Sequence, residues 1–181
     1  QIILKAIFEF IFKVWFNFLG FINALFAKNK YLYFIDIDNT LADTYPSLSK
    51  AHRSEKDRLL NLKPHTKIIN ILINSYAPSN RKFVFITARS YKQYFTTIKW
   101  LNNNGLKADI FNTIMVKHPK AKINLIQKYY LEYKTIVIDD LSYNHEHGCI
   151  RFYENEISQL KKLKLKHIGY STILKLQMQE S

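Results

Sequence analysis

The sequence predicts a three-layer α/β domain with a central parallel sheet, and three observations carry that prediction. From Lys30 onward, short apolar runs alternate with longer segments of helical periodicity. The short runs are apolar nearly throughout, as strands covered on both faces are. Several of them close on Asp, Thr or Arg, and polar residues in that position mark the strand ends where open parallel sheets bind ligands. With 181 residues and 48% hydrophobic content, the chain can bury a sizeable single core, and the composition excludes a disordered protein. Two parts are expected: a hydrophobic helix over residues 1–28 and the domain over residues 29–181.

The first part reads "QIILKAIFEFIFKVWFNFLGFINALFA". On a helical wheel Lys5, Glu9, Lys13, Asn17, Gly20 and Asn23 share one side, Lys5 and Glu9 as an i,i+4 pair. Phe16 lies among them, and most of the remaining circumference is apolar. The uncharged stretch 14–27 rises only about 21 Å, against a hydrocarbon core of about 30 Å. A spanning helix would carry Lys13 or Glu9 into lipid, at about 2.5 to 3.5 kcal/mol for a central charge. Lying in the interface, with Trp15 and the phenylalanines inserted and Lys5, Lys13, Lys28 and Lys30 toward headgroups, costs less. Packing on the domain or self-association through residues 1–27 is the competing reading. A signal segment fits poorly, because Glu9 interrupts the apolar run and residues 25–27 make a poor cleavage site.

The domain elements follow in order. "YLYFIDI" (31–37) is a strand, "PHTKIINILINSYA" (64–77) a helix opened by Pro64, and "RKFVFIT" (81–87) a second strand. "SYKQYFTTIKWLNNNG" (90–105) is a helix stopped by Gly105, and "IFNTIMV" (110–116) a third strand. "PKAKINLIQKYYLEY" (119–133) is a helix and "KTIVID" (134–139) a fourth strand. "CIRFY" (149–153) reads as a short strand, and residues 154–165 and 171–179 as helices.

The formal charge of +13 favours anionic partners: nucleic acid, an acidic membrane surface or a phosphorylated substrate. The lysines are scattered, so a solvated basic exterior explains the same number. One cysteine, Cys149, excludes an intrachain disulfide and any multi-cysteine zinc site. It suits a reducing, cytoplasmic setting, with membrane association through the first helix as the addition to it.

The polar strand ends are Asp36 and Asp38 after the first strand, Thr87 and Arg89 after the second, Lys117 near the third, and Asp139 and Asp140 after the fourth. Four carboxylates on one edge repel unless a cation neutralises them, and an all-oxygen cluster suits Mg²⁺. A carboxylate beside such an ion can attack phosphorus, while a second carboxyl two residues on moves the proton. A hydroxyl and a lysine would hold the phosphoryl oxygens.

These stretches resemble the haloacid dehalogenase-like (HAD) superfamily of phosphohydrolases. "FIDIDNTLADT" is similar to its DxDxT motif, "FVFITAR" to its second motif and "IVIDDLSYN" to its acidic fourth motif, with a lysine between the last two. The resemblance spans residues 31 to about 153 and implies a Rossmann-like, HAD-like fold. It implies Asp36 as nucleophile, Asp38 as general acid/base, and Thr87 with a lysine as phosphate ligands. Mg²⁺ would be held by Asp36, the backbone carbonyl of Asp38, and Asp140, with Asp139 acting through water. Asp at position 38 is what the phosphatase members carry.

Two positions depart from the family pattern. Asn144 stands where a further acidic residue often follows, and it is expected to orient Asp140 or the lysine. The lysine is Lys122, which opens a helix, or Lys117, which precedes "HP"; Lys122 is preferred.

Residues 43–63 leave room for only a minimal cap, so the site should be open and should admit a large phosphoester. "TARSYKQYFTTIKWLNNNG" is similar to the phosphatase domains of polynucleotide kinase/phosphatases. That similarity implies a polynucleotide 3′-phosphate, with His52, Arg53, Lys56, Arg58 and Arg89 as phosphate contacts. The alternative for Arg89 is a local carboxylate partner, and for Trp100 a place in the core. A nucleotide, sugar or lipid-linked phosphate is the rival substrate, and a membrane-tethered binding module with a vestigial site is the rival of another class. "NHEHGC" offers His145, His147 and Cys149, but without a second ligand pair it makes a weak zinc motif.

Overall fold

The computed structural model describes residues 2–75 and 80–178. The last positions of the helices expected at 64–77 and 171–179, and the Lys5 side chain, lie outside these. The chain opens with α1 (Ile2–Phe26). β1 (Tyr31–Ile35) leads into a short excursion of β2 (Ala42–Asp43), α2 (Tyr45–Leu48), α3 (Glu55–Leu60) and β3 (Lys63–Pro64), then α4 (Thr66–Asn74). Strand and helix alternate through β4 (Arg81–Thr87), α5 (Tyr94–Asn103), β5 (Thr113–Met115), α6 (Pro119–Tyr129) and β6 (Thr135–Ile138). The chain continues through β7 (Ser142–Tyr143), β8 (Arg151–Phe152), α7 (Glu154–Lys161), β9 (Lys166–Ile168) and α8 (Tyr170–Met178).

Among the described residues the centre is a five-stranded sheet of order β5-β4-β1-β6-β9, parallel at every pairing. The alternation of side chains along each strand divides the core in two. Leu32, Phe34, Val84, Ile86 and Val137 face α1, α6 and α7. Ile35, Phe83, Phe85 and Ile138 face the other side, with Ile69 and Leu72 of α4, Leu101 of α5 and Ile173 of α8. The result is a Rossmann-like α/β arrangement. Trp100 is buried in the second layer and donates to the Leu62 carbonyl at 3.1 Å, so it packs in the core.

Element ends follow local chemistry. α5 ends as its glycine demands: Gly105 has φ +79, its N–H reaches the Asn102 carbonyl, and Leu106 N–H reaches that of Leu101. The third strand is shorter than expected because Asp109 and Asn112 build a turn from their own side chains. Asp109 Oδ1 accepts from the N–H groups of Phe111 and Asn112 at 2.7 and 2.9 Å, which leaves only Thr113–Met115 to pair. Residues 151–152 pair antiparallel with 142–143 outside the main sheet. The edge strand Lys166–Ile168 was not expected; three residues carry too little periodicity to announce a strand.

α1 combines the two readings of its sequence: one side packs on the domain and the wide apolar side stays open. The side holding Glu9, Gly20 and Asn23 is turned toward the domain, along with Phe16. Phe16 and Leu19 are 2% and 1% exposed and belong to the same core cluster as β1 and α6. Asn23 donates to the carbonyls of Leu19 and Phe111 at 2.8 and 2.7 Å, and Glu9 pairs with Lys117 at 2.5 Å. Gly20 permits the close crossing with α6, since a Cβ there would stand 2.6 Å from the Tyr129 ring. The wide apolar face points outward.

Candidate active site

The order β5-β4-β1-β6-β9 places a switch point between β1 and β6. The connection leaving β1 runs to the β4 side, whereas the one leaving β6 runs to β9. Loops diverging in this way leave a crevice at the carboxyl ends of the two strands. Asp36 directly follows β1 and Asp139 directly follows β6, so both enter that crevice without any loop to position them.

Asp36, Asp139 and Asp140 are buried, and each offers a carboxylate oxygen within 4.8 Å of the others. Lys122 supplies the local positive charge. His118 caps α6, its Nδ1 accepting the Ala121 N–H at 3.1 Å, and Pro119 opens the helix, so Lys122 falls in the first turns facing the sheet edge. Its Nζ donates to Asp36 Oδ1 at 2.6 Å and Asp139 Oδ2 at 2.8 Å. Lys117, by contrast, is exposed and pairs with Glu9.

Asp38 belongs to a second cluster. Its carboxylate accepts from Arg89 Nε and Nη2 at 2.9 and 2.7 Å, from Thr44 Oγ1 at 2.7 Å and from Thr87 Oγ1 at 3.1 Å. Those donors occupy the side chain, which is not among the three carboxylates that come within 4.8 Å of one another, and the backbone of Asp38 is left for a metal. The Asp38 side chain is 28% exposed, against 7% for Asp36, so it forms the accessible rim of the site.

The electrostatics separate these groups. Burial pushes Asp36 well above the usual carboxylate range; Lys122 offsets part of that, and Asp139 adds to it. Burial and the neighbouring Asp139 push Asp140 up to about 6 against the bonds from Ser142 and Thr40. Burial would raise Asp38 too, but the charge and hydrogen bonds of Arg89, with those of Thr44 and Thr87, bring it down to about 2. Burial disfavours the charged form of Lys122, yet Asp139 and Asp36 outweigh it and hold the amine protonated.

Asp36, Asp139 and Asp140 thus face Lys122, while Arg89 matches Asp38; with every carboxylate ionised an excess of two negative charges remains, which one divalent ion would cancel. The all-oxygen donor set suits a hard cation of the Mg²⁺ type.

Sequence reasoning held Thr40 as the threonine of the DxDxT motif but not its bond to Asp140, and it missed Ser142 and Leu141 as residues that orient these groups. Thr40 Oγ1 donates to Asp140 Oδ1 at 3.0 Å and accepts the Asp140 N–H at 3.1 Å, tying β1's loop to that of β6. Ser142 Oγ donates to Asp140 Oδ2. A hydroxyl has one proton, so His145 Nε2, 2.6 Å from Ser142 Oγ, is the donor in that contact. The His145 ring stacks on Tyr45 at 4.1 Å. Leu141 is buried at φ +46, an uncommon conformation for a branched side chain, and its N–H reaches Asp139 Oδ1 at 3.0 Å. The fixed spacing of Thr40 from Asp36 and Asp38, and of Ser142 from Asp140, was the available signal.

Other expected contacts fall elsewhere. Asn144 orients neither Asp140 nor the lysine: at φ +67 it donates to the Cys149 carbonyl at 3.0 Å. His145 joins the Asp140 network, and among the described residues His145, His147 and Cys149 are not brought together as a metal-binding group. Arg58 is bound to Glu55 and Ser47, and His52 to the Ser47 carbonyl, whereas Arg53 and Lys56 are exposed. No family model and no curated protein matches this chain.

Proposed function

We propose that this protein is a Mg²⁺-dependent phosphomonoester hydrolase of the haloacid dehalogenase-like type, working through an aspartyl-phosphate at Asp36. The observation that carries the reading is the meeting of Asp36, Asp139, Asp140 and Lys122 at the switch point. Asp36, Asp139 and Asp140, with the backbone carbonyl of Asp38, would hold the ion. When bound, the ion cancels the carboxylate excess and draws charge from the phosphoryl oxygens.

Asp36 attacks phosphorus, and the bond to the leaving oxygen breaks as that oxygen takes a proton from Asp38. Asp38, now a carboxylate, accepts a proton from the water that attacks the acyl-phosphate, releasing phosphate and restoring Asp36. Lys122 and Thr87 hold the phosphoryl oxygens. A carboxyl clamped near pKa 2 gives no proton at neutral pH, so Arg89 has to leave Asp38 before the first step. A phosphate dianion arriving at this rim competes for that guanidinium. Arg89 is then both a clamp in the resting site and a phosphate ligand in the loaded one.

The excursion between β1 and α4 is too small to close over the site, which supports a large phosphoester such as a polynucleotide 3′-phosphate. A panel of an aryl phosphate, a 3′-phosphorylated oligonucleotide and a sugar phosphate, each with and without Mg²⁺, tests the proposal. Turnover should require Mg²⁺ and fall by about 10⁴-fold or more in Asp36→Asn. Undiminished turnover by that variant sinks the nucleophile assignment. Absence of turnover on every ester would leave a binding module with a vestigial site. For the oligonucleotide, binding should weaken steeply with salt if several phosphates are contacted.

A further inference from the structure

The outer face of α1 is apolar along much of its length. Ile7, Ile11, Val14, Phe18, Phe21 and Leu25 form a stripe along the helix, and each is 50% to 56% exposed. A stripe of this length is unusual on a soluble surface, where large contiguous apolar patches mark interaction sites. A second element extends it: the Trp15 ring lies 6.5 Å from that of Phe111, and both Ile110 and Phe111 are exposed.

The flanks of the stripe are basic. Lys13 and Lys28 are exposed, and Lys134 reaches over to the Lys28 carbonyl at 3.3 Å. Lys13, Lys117 and Lys128 line a cleft of ≈ 550 Å³ between α1 and α6, whose one acidic residue, Glu9, is paired with Lys117.

We propose that this face is a docking surface for an anionic lipid bilayer, with α1 lying in the plane of the interface and the domain held above it. Two observations select that occupant. The helix has the length and composition to cross a membrane, but its inner side is committed to the domain through Phe16, Leu19 and Asn23, so crossing would strip buried contacts from the core. A second copy on the same face would bring two basic rims together in a chain of net charge +13. An anionic surface answers both the hydrocarbon and the charge, as interfacial amphipathic helices do.

The test uses the full chain with phosphatidylcholine vesicles and with vesicles that also contain phosphatidylserine, read by co-sedimentation and by Trp emission. Binding should favour the anionic vesicles, shift Trp15 emission to the blue, and be reversed by alkaline extraction. The Val14→Glu/Phe18→Glu/Phe21→Glu variant should bind at least about tenfold more weakly. Lys13→Gln and Lys28→Gln, which alter no packed side chain, should each cost about fivefold, and they keep the test decisive if the triple variant folds poorly. The proposal is overturned if neither vesicle type binds, if the variants bind as the parent does, or if the chain resists alkaline extraction as a spanning segment does. It is equally overturned if the stripe instead drives concentration-dependent association without vesicle binding.

Discussion

The carboxyl edge of the sheet and the outer face of α1 break opposite rules. The first takes Asp36, Asp139 and Asp140 out of water, and the second leaves Ile11, Val14 and Phe18 in it. They differ in how far the chain itself compensates. At the sheet edge Lys122, Thr40 and Ser142 answer part of the charge, and among the described residues no buried side-chain nitrogen or oxygen lacks a partner. With every carboxylate ionised, what remains is an excess of two charges, a small and specific deficit that a single ion fills. Among the described residues no other element covers the outer stripe of α1, so the deficit is broad and calls for a surface. The contrast separates a site, whose geometry is held by hydrogen bonds, from a face, whose geometry is held only by the opposite side of the helix.

The largest expected effect is on the site side. Lys122→Met leaves Asp36 and Asp139 buried without their cation, which should cost about 3 to 5 kcal/mol of stability. Lys117→Met, at an exposed pair, should leave the thermal midpoint unchanged. Equal responses of the two lysines would erase the distinction between them.

Next in size is the effect of the ion. At a Mg²⁺ concentration about 100 times Kd, linkage predicts a rise of roughly 5 to 10 °C in the thermal midpoint. Asp140, raised to about 6, binds more protons folded than unfolded, so without the ion stability should fall as pH rises from the ordinary carboxylate range through 6. The Mg²⁺ increment should move the other way, growing as Asp140 ionises. Asp140→Asn should remove most of the size of that increment and the share of its pH dependence that Asp140 supplies, leaving the share of Asp36; scanning calorimetry at pH 5 and pH 8 checks both.

The smallest effect concerns Arg89. Asp38 is depressed in the fold, so its bonds add stability above the ordinary carboxylate range and lose it as pH falls through about 2. Arg89→Gln should move the Asp38 midpoint upward toward the usual carboxylate value, followed by carboxyl-carbon NMR. An unmoved midpoint would place the cause in Thr44 and Thr87.

Much of this was legible from particular residues. "YLYFIDID" announces a buried strand that ends in carboxylates, because parallel strands are apolar throughout and their polar ends stand out. "HPKAK" announces a helix start, and that start carries Lys122 to the edge. The supports were harder to read: Thr40, Ser142 and His145 are ordinary polar residues until β1 and β6 become neighbours. Arg89 read as a phosphate ligand with a local carboxylate partner as the alternative, and in this structure it holds Asp38.

The sequence alone determined the alternation of strands and helices and which side chains stand at strand ends, since both follow from periodicity and from the chemistry of single residues. Only the tertiary structure decided which carboxylates share a cavity, which lysine reaches them, and which way α1 turns. A helical wheel ranks faces by polarity, and polarity left open whether the greasy side of α1 meets lipid, the domain or a second copy. The domain took the side with Phe16 and Leu19 to fill its core, Gly20 to let Tyr129 come close and Asn23 to meet a backbone carbonyl. Packing is decided by shape and specific partners as well as by hydrophobicity, and those partners lie on other segments of the chain.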